Sequence, residues 1–435
     1  MSKKARNFFI YLLSLGLAMS LILFSLRSGN LTTVNPVAAS TQAATELRGV
    51  WLTNVSSAVF FAPWGLNRAI KQLAQLDFNT LYPVVWNRGH TFYPSTVTQI
   101  ATGRRQEPLL KIARLGSDVL DEIITQAHQR NLRVIPWFEY GLITPANSKL
   151  AQLHPDWLTH TQDGRLILSK DNVESKLEAS EAKKTSQLSQ FIESVRNRVT
   201  VRHIWLNPCH PEVQQFIKDL ILEVVTNYDV DGIQLDDHFG MPVELGYDSF
   251  TIKLYQQEHG GKSPPSDPYD PKWMRWRAYQ ITKFMAEISA AVKEVKPQVK
   301  ISLSPNPKEF SYRKYLQDWE TWVRRGFVDE LVLQVYRRNL DSFQGELSHR
   351  AVDFARSYVP VSVGISSGTW RNPVPIEIIQ QQVEKTRENG FSGVSFFYWE
   401  SLWGYITPES PQKRRRGFET LFSGQMRDEK QAKTN

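Results

Sequence analysis

The chain predicts an α/β fold: a TIM (β/α)8 barrel with a charged insertion after its third strand and a hydrophobic leader before its first. Three observations predict it. Eight short apolar runs rich in β-branched and aromatic residues fall between Leu47 and Glu400, nearly all separated by stretches with apolar residues at helical spacing. Strict alternation of strand and helix makes a parallel sheet, and eight repeats close one into a barrel. No Gly-x-Gly-x-x-Gly follows a strand, which counts against a doubly wound open sheet. At 435 residues, with 41% hydrophobic and 22% charged, the chain is large enough for a barrel with insertions around a sizeable core.

Residues 1–45 read as a signal peptide or membrane anchor plus linker, 46–406 as the barrel, and 407–435 as a basic polar tail carrying Lys413-Arg414-Arg415-Arg416. Lys3, Lys4 and Arg6 precede an apolar run from Phe8 to Leu26, and Ala38-Ala39-Ser40 and Ala43-Ala44 offer small-residue cleavage sites. The run is about long enough to span a bilayer, so it is either cut or kept as an anchor in the inner membrane. Both alternatives export the barrel to the periplasm or cell envelope. The single cysteine, Cys209, lies far from the leader, so neither lipid acylation there nor an intramolecular disulfide is expected. It reads as a small buried side chain. The net charge of +8 comes without a nucleic-acid-binding pattern, so attraction to an anionic envelope polymer or lipid surface is the simpler account.

In chain order, Leu47–Asn54 is the first strand, and helical spacing runs from Asn67 to Leu76. Asn79–Arg88 is the second strand, a helix opens at Ser117-Asp118, and Leu132–Tyr140 is the third strand. A long excursion follows, with a Ser/Lys/Glu-rich stretch near 170–200. Helix Pro211–Tyr228 leads into Asp229–Phe239, where a buried strand ends in Asp236, Asp237 and His238. The second half gives helix Trp273–Val295, strand Val299–Pro305, helix Tyr312–Arg325, strand Glu330–Tyr336 and helix Ser342–Arg356. Strand Val361–Ile365, helix Ile376–Glu388 and strand Gly393–Glu400 complete the alternation.

Barrel chemistry belongs at the carboxyl ends of the strands. Four carboxylates stand there, Glu139, Asp236, Asp237 and Glu400, with polar groups at every other strand end. Side chains alternate along a strand, so Asp236 and Asp237 share one face only if the chain bends, and otherwise one acts while the other supports it. The competing account of the pair is a helix N-cap. Trp51, Trp86, Trp137, Tyr140, Tyr336, Trp370, Tyr398, Trp399 and Trp403 crowd the same end, and flat rings cover the apolar faces of sugars while carboxylates and amides bind their hydroxyls. Glycoside hydrolysis needs one protonated and one ionised carboxyl group. Asp236 is the candidate nucleophile or charge stabiliser with Asp237 beside it, and Glu139 and Glu400 compete as general acid/base. Trp51, Asn87, Trp137, Asn207, His238, Gln334, Tyr336 and Trp399 are the candidate substrate contacts. Asp236, Asp237 and His238 are metal-ligand types, but no His-x-x-x-His spacing accompanies them, so no metal or other cofactor is expected. The alternatives are a catalytically silent glycan-binding barrel and a metal-dependent, deacetylase-like hydrolase.

Several of these segments match a known pattern: Glu46–Leu52, Phe78–Tyr82, His154–Leu158, Trp205–Pro208 and Tyr228–Phe239, followed by Ser304-Pro305 and Gln334–Tyr336. In this order they resemble the glycosyl-hydrolase-like family 10, bacterial envelope proteins with a TIM-barrel domain. The resemblance implies hydrolysis of an envelope polysaccharide, with peptidoglycan glycan strands stripped of stem peptides as substrate, and it places the family's strand-four aspartates at Asp236 and Asp237. Strand three departs from the pattern, with Trp137-Phe138-Glu139-Tyr140 where relatives carry an Asn-Pro-Tyr-Arg-like run, so no family role transfers to Glu139.

Overall fold

The computed structural model describes residues 45–54, 57–166, 202–369, 372–403 and 407–423. The leader before Thr45, the charged stretch near 170–200 and Trp370 lie outside the described residues.

The barrel strands are β1 (Leu47–Leu52), β2 (Thr80–Pro83), β3 in two pieces (Arg133–Val134 and Trp137–Phe138), β4 (Gly232–Asp236), β5 (Lys300–Ser304), β6 (Glu330–Gln334), β7 (Val361–Ser366) and β8 (Gly393–Phe397). The parallel sheet starts with the first piece of β3, runs through β2, β1, β8, β7, β6, β5 and β4, and ends on the second piece of β3. Both edges of the sheet therefore belong to one strand, and the barrel is closed. Ile135 donates to Leu81 O at 2.9 Å on one side, and Pro136 O accepts from Gln234 N at 2.8 Å on the other.

Helices Pro63–Gln75, Val119–His128, Pro211–Asn227, Pro271–Val295, Trp319–Arg324, Arg350–Arg356 and Ile376–Glu388 fill the seven crossovers. Their starts are set locally: Asp118 accepts from Leu120 N and Asp121 N, and Asp270 from Lys272 N and Trp273 N. Inside the barrel, Trp51 stacks on Tyr82 with centroids 5.4 Å apart and donates Nε1–H to Gln234 Oε1 at 2.7 Å. Gln234 Nε2 donates in turn to Ser302 Oγ at 3.0 Å, so this buried amide has a partner on each side.

Three element boundaries differ from expectation. The helices read as Tyr312–Arg325 and Ser342–Arg356 are each two: Lys308–Tyr315 with Trp319–Arg324, and Leu340–Leu347 with Arg350–Arg356. Leu316 takes a left-handed conformation (φ 54°) that ends the first, and His349 caps a fresh start in the second. The eighth strand stops at Phe397, so Glu400 sits on a short helix, Trp399–Trp403, rather than on a strand end.

The basic tail is not a tail over 411–423. Pro411–Ser423 is the eighth outer helix, docked through Phe418 and Phe422 against Phe78 and Phe396. The positive run hid it because Arg414, buried, points inward. Its guanidinium donates to Leu402 O, Val374 O, Ser367 O and Ser401 O at 2.7–2.8 Å and pairs with Glu409 at 2.5 Å. Gly417 lets this helix cross close to Ile376, where a Cβ would lie 2.2 Å from Cγ1. Among the described residues no helix is long and apolar enough to cross a membrane.

Phe418→Ala is expected to cost about 3–5 kcal/mol in denaturant unfolding, as for other buried aromatics. Lys413→Ala, which breaks only an exposed pair with Glu377, is expected to cost under about 1 kcal/mol. Equal, small effects would contradict a docked helix.

Candidate active site

The end of β4 bends as the adjacent carboxylates require. Asp236 Oδ1 accepts from the backbone N of His238 at 2.9 Å, a side-chain-to-backbone turn that swings Asp237 and His238 back over the strand end. One ligand atom each of Asp236, Asp237 and His238 then lies within 4.8 Å of the others. His238 Nδ1 faces three acceptors: Glu139 O at 3.1 Å, Asp236 Oδ2 at 3.2 Å and Asp237 Oδ1 at 3.4 Å. A carbonyl can only accept, so Nδ1 carries a proton.

Glu139 follows β3 and is 6% exposed. Its Oε2 accepts from Thr53 Oγ1 at 2.9 Å and from Asn87 Nδ2 at 2.6 Å, and Asn87 also donates to Asn54 Oδ1 at 2.7 Å. Asp237 is held from the other side, by Asn306 Nδ2 at 2.6 Å and Gln334 Nε2 at 3.3 Å. Gln317 Nε2 ties the strand end from below through Asp236 O at 2.8 Å and Phe239 O at 3.1 Å.

Burial sets the protonation states. It lifts Glu139 to about 8 against the lowering effect of Thr53, with Asp236 adding to the rise. It lifts Asp236 to about 7, against the pull of His238. Burial alone would lower His238, but Asp237 and Asp236 outweigh it and hold the imidazole at about 10. The site therefore holds an imidazolium beside two carboxyl groups, Glu139 and Asp236, that are raised toward or past neutral pH. Burial, then Asp237, Asp236 and Glu139, also pushes the Tyr336 hydroxyl far up, so that ring stays neutral while it stacks on Phe397 at 5.6 Å.

The structure brings together Glu139, Asp236, Asp237, His238, Asn87, Gln334 and Tyr336. Trp51 and Trp137 lie beneath them, buried in the barrel and 6.3 Å apart between centroids. Asn207 is buried elsewhere, donating to Asp248 Oδ1 at 2.8 Å and Thr251 Oγ1 at 2.9 Å. Glu400 and Trp399 border a cavity of about 830 Å³ with Ser57, Trp64, Arg68 and Trp403, and none of Glu139, Asp236 and Asp237 lines it. Glu400 accepts from Ser57 Oγ and is raised to about 7 by burial. Cys209 is buried, as expected, and its thiol is pushed up to about 12 by burial.

Asn54 and Asn306, the polar groups expected at the ends of the first and fifth strands, join the site, and Thr53 and Gln317 complete it without having been singled out. Thr53 stands next to Asn54 at a strand end, which was the available signal. Gln317 follows a left-handed residue between two helices and has none. As a metal centre the cluster fits poorly: both Asp236 oxygens lie within hydrogen-bond reach of His238 N–H groups, both Asp237 oxygens accept from side-chain amides, and the imidazole holds its proton tightly.

The family model described as glycosyl hydrolase-like 10 matches residues 46–195 and 165–385. Glycosyl hydrolase DigH of Escherichia coli (strain K12) is 24% identical over 353 residues, covering 69% of this chain and 68% of DigH. Glycosyl hydrolase YngK of Bacillus subtilis (strain 168) is 24% identical over 351 residues, covering 72% of this chain and 58% of YngK. Among solved structures, the PgaB (BpsB) glycoside hydrolase domain of Bordetella bronchiseptica superposes with a TM-score of 0.55 at 14% identity, over 84% of this chain and all of that one. The catalytic domain of a Paenibacillus polymyxa β-amylase gives 0.54 at 10% identity, over 88% and 99%. These two likenesses show the barrel fold. With the family match spanning most of the barrel, the chain belongs to the glycosyl-hydrolase-like family 10 and is a glycoside hydrolase by class.

Proposed function

We propose that this enzyme hydrolyses glycan strands of the cell envelope, peptidoglycan in particular, with Glu139 as general acid and Asp237 as the carboxylate partner. The observation that carries the reading is the pairing at the barrel mouth of a carboxyl group lifted to about 8 with a second carboxylate held by two amides. A general acid must carry its proton at working pH, which burial of Glu139 provides. Thr53 and Asn87 occupy only its Oε2, and among the described residues Oε1 has no protein partner. That oxygen is free to protonate a leaving glycosidic oxygen.

Asp237 is the more accessible aspartate, with its side chain 13% exposed against 2% for Asp236. Both Asp236 oxygens are turned to His238, so Asp236 holds the imidazolium in place beside the reacting carboxylate. In this reading an oxocarbenium-like transition state gains its counter-charge from Asp237. Export through the 1–45 leader, cut or kept as a membrane anchor, would deliver the barrel to such a substrate.

The direct test is incubation of the protein with intact and peptide-stripped peptidoglycan and mass analysis of soluble products. New oligosaccharides are expected, with Glu139→Gln and Asp237→Asn each lowering the rate by about 10²-fold or more. Binding to the glycan without any product, unchanged by either substitution, would instead mark a silent glycan-binding barrel. Inactivation by chelation would revive the metal-dependent reading.

Two pH dependences follow. Activity is expected to fall as pH rises through about 8, where Glu139 loses its proton. For stability, Glu139, Asp236 and His238 all bind protons more tightly folded than unfolded. Each contributes stability that is full below its unfolded pKa and lost as pH rises through its folded one. The melting temperature is expected to decline from about pH 5 to pH 9, and less steeply in Glu139→Gln. A rise across that window would contradict the assigned protonation states.

A further inference from the structure

From the guanidinium of Arg88 at the mouth of the site, which has no hydrogen-bond or ion-pair partner among the described residues, we infer that the enzyme recognises a carboxylate carried by a sugar of its glycan. This rests on the glycan-hydrolase reading above.

Arg88 follows Asn87, the residue that donates to Glu139. The short strands Trp86–Asn87 and His90–Thr91 pair antiparallel, with Asn87 opposite His90, so Arg88 and Gly89 are the two residues of a tight turn. Both have positive φ, 52° and 76°, as a type I′ turn requires. The first position of such turns is ordinarily Asn, Asp or Gly, and a long cation there is an unusual choice that local conformation does not explain. The turn is also fixed in place: a Cβ on Gly89 would meet Thr144 Oγ1 at 2.7 Å.

The guanidinium carbon lies 5.8 Å from the ring centroid of Tyr140. Tyr140 in turn stacks on His238 at 5.0 Å and sits 5.4 Å from His203. Arg88 thus stands one ring away from the imidazolium that binds both aspartates. Yet among the described residues it makes no hydrogen bond and no ion pair, and its Nε is buried without a partner. His203 Nε2, beside Tyr140, is buried without a partner as well. Burial, with Arg88 and His238 adding to it, lowers His203 to about 4, so this neighbour is neutral and does not compete for an anion.

Arg88 is half-buried with its guanidinium over the Tyr140 ring, and the planar fork of N–H donors that any guanidinium carries matches a carboxylate at two points. Among the described residues the carboxyl groups of the site have other partners: Glu139 Oε2 accepts from Thr53 and Asn87, Asp236 faces His238, and Asp237 accepts from Asn306 and Gln334. Among the described residues none of these groups pairs with Arg88, and we assign the anion to the substrate. In peptide-stripped peptidoglycan the lactyl ether of muramic acid ends in a free carboxylate, and in a polyuronate the ring itself bears one.

The test compares kcat/KM on peptide-stripped peptidoglycan with that on the same polymer after reduction of its carboxyl groups to alcohols. A matched pair of native and reduced polyuronate separates the two sources of carboxylate. The wild-type enzyme is expected to prefer the native form of one pair by about tenfold or more, mainly through KM. Arg88→Asn suits the turn and removes the charge, and it is expected to bring that ratio close to one. Arg88→Lys is expected to restore part of the preference. Equal turnover of native and reduced polymer by the wild type would overturn the inference and leave the hydrolase reading intact, as would a ratio that survives in Arg88→Asn. Failure to cleave any of the four polymers would overturn both.

Discussion

Pro136 has no N–H to give, and the barrel closes around it. Its neighbours along β3 divide their hydrogen bonds: Arg133 and Ile135 donate to β2, while Val134 and Pro136 offer carbonyls to Asp231 and Gln234 at the β4 side. Asp231 compensates by accepting from Val134 N through its side chain at 2.7 Å. The strand is interrupted as a ladder yet continuous as a chain, and that lets one strand serve as both edges of the sheet. Past the interruption it delivers Trp137 to the interior and Glu139 to the mouth, directly beside the end of β4. The site depends on this closure, because Glu139 and Asp236 come from the two strands that Pro136 joins.

Two carboxyl groups and a histidine buried together would be costly if all were charged. The arrangement limits that cost by keeping protons. His238 is charged because two aspartates outweigh its desolvation, and Glu139 and Asp236 are raised because desolvation outweighs the imidazolium. Polar residues from strand ends all around the barrel then distribute hydrogen bonds so that one oxygen of Glu139 stays open. The same closeness couples their titrations, so the observed pKa values belong to the site rather than to independent residues.

Much of the fold was legible because it depends on periodicity. Eight apolar runs, their order and the helices at Val119–His128, Pro211–Asn227 and Ile376–Glu388 follow from spacing and capping alone. What escaped depends on tertiary partners. Arg414 looked like one more surface cation until Glu409 and four carbonyls surrounded it. Leu316 ends a helix with no glycine or proline to mark the break. Of the candidate site, the β4 aspartates, Glu139 and Asn87 stand together as strand-end logic predicts. Trp51 and Trp137 show its limit: an aromatic near a strand end fills the interior as readily as it lines a groove, and the choice between them turns on Gln234, which accepts the Trp51 N–H from within the barrel. Glu400 escaped for a different reason, since β8 ends before reaching it and its helix faces another cavity.

The proposed reaction depends on the proton of Glu139. Infrared difference spectroscopy reads it directly, since a protonated buried carboxyl absorbs apart from a carboxylate. At pH 7 the wild-type protein is expected to show carboxyl carbonyl absorption whose Glu139 component is missing in Glu139→Gln, leaving that of Asp236 and Glu400, and fades as pH is raised past about 8. A wild-type spectrum at pH 7 indistinguishable in that region from that of Glu139→Gln would mean that Glu139 is already ionised. The barrel would then lack the acid that the proposed reaction requires.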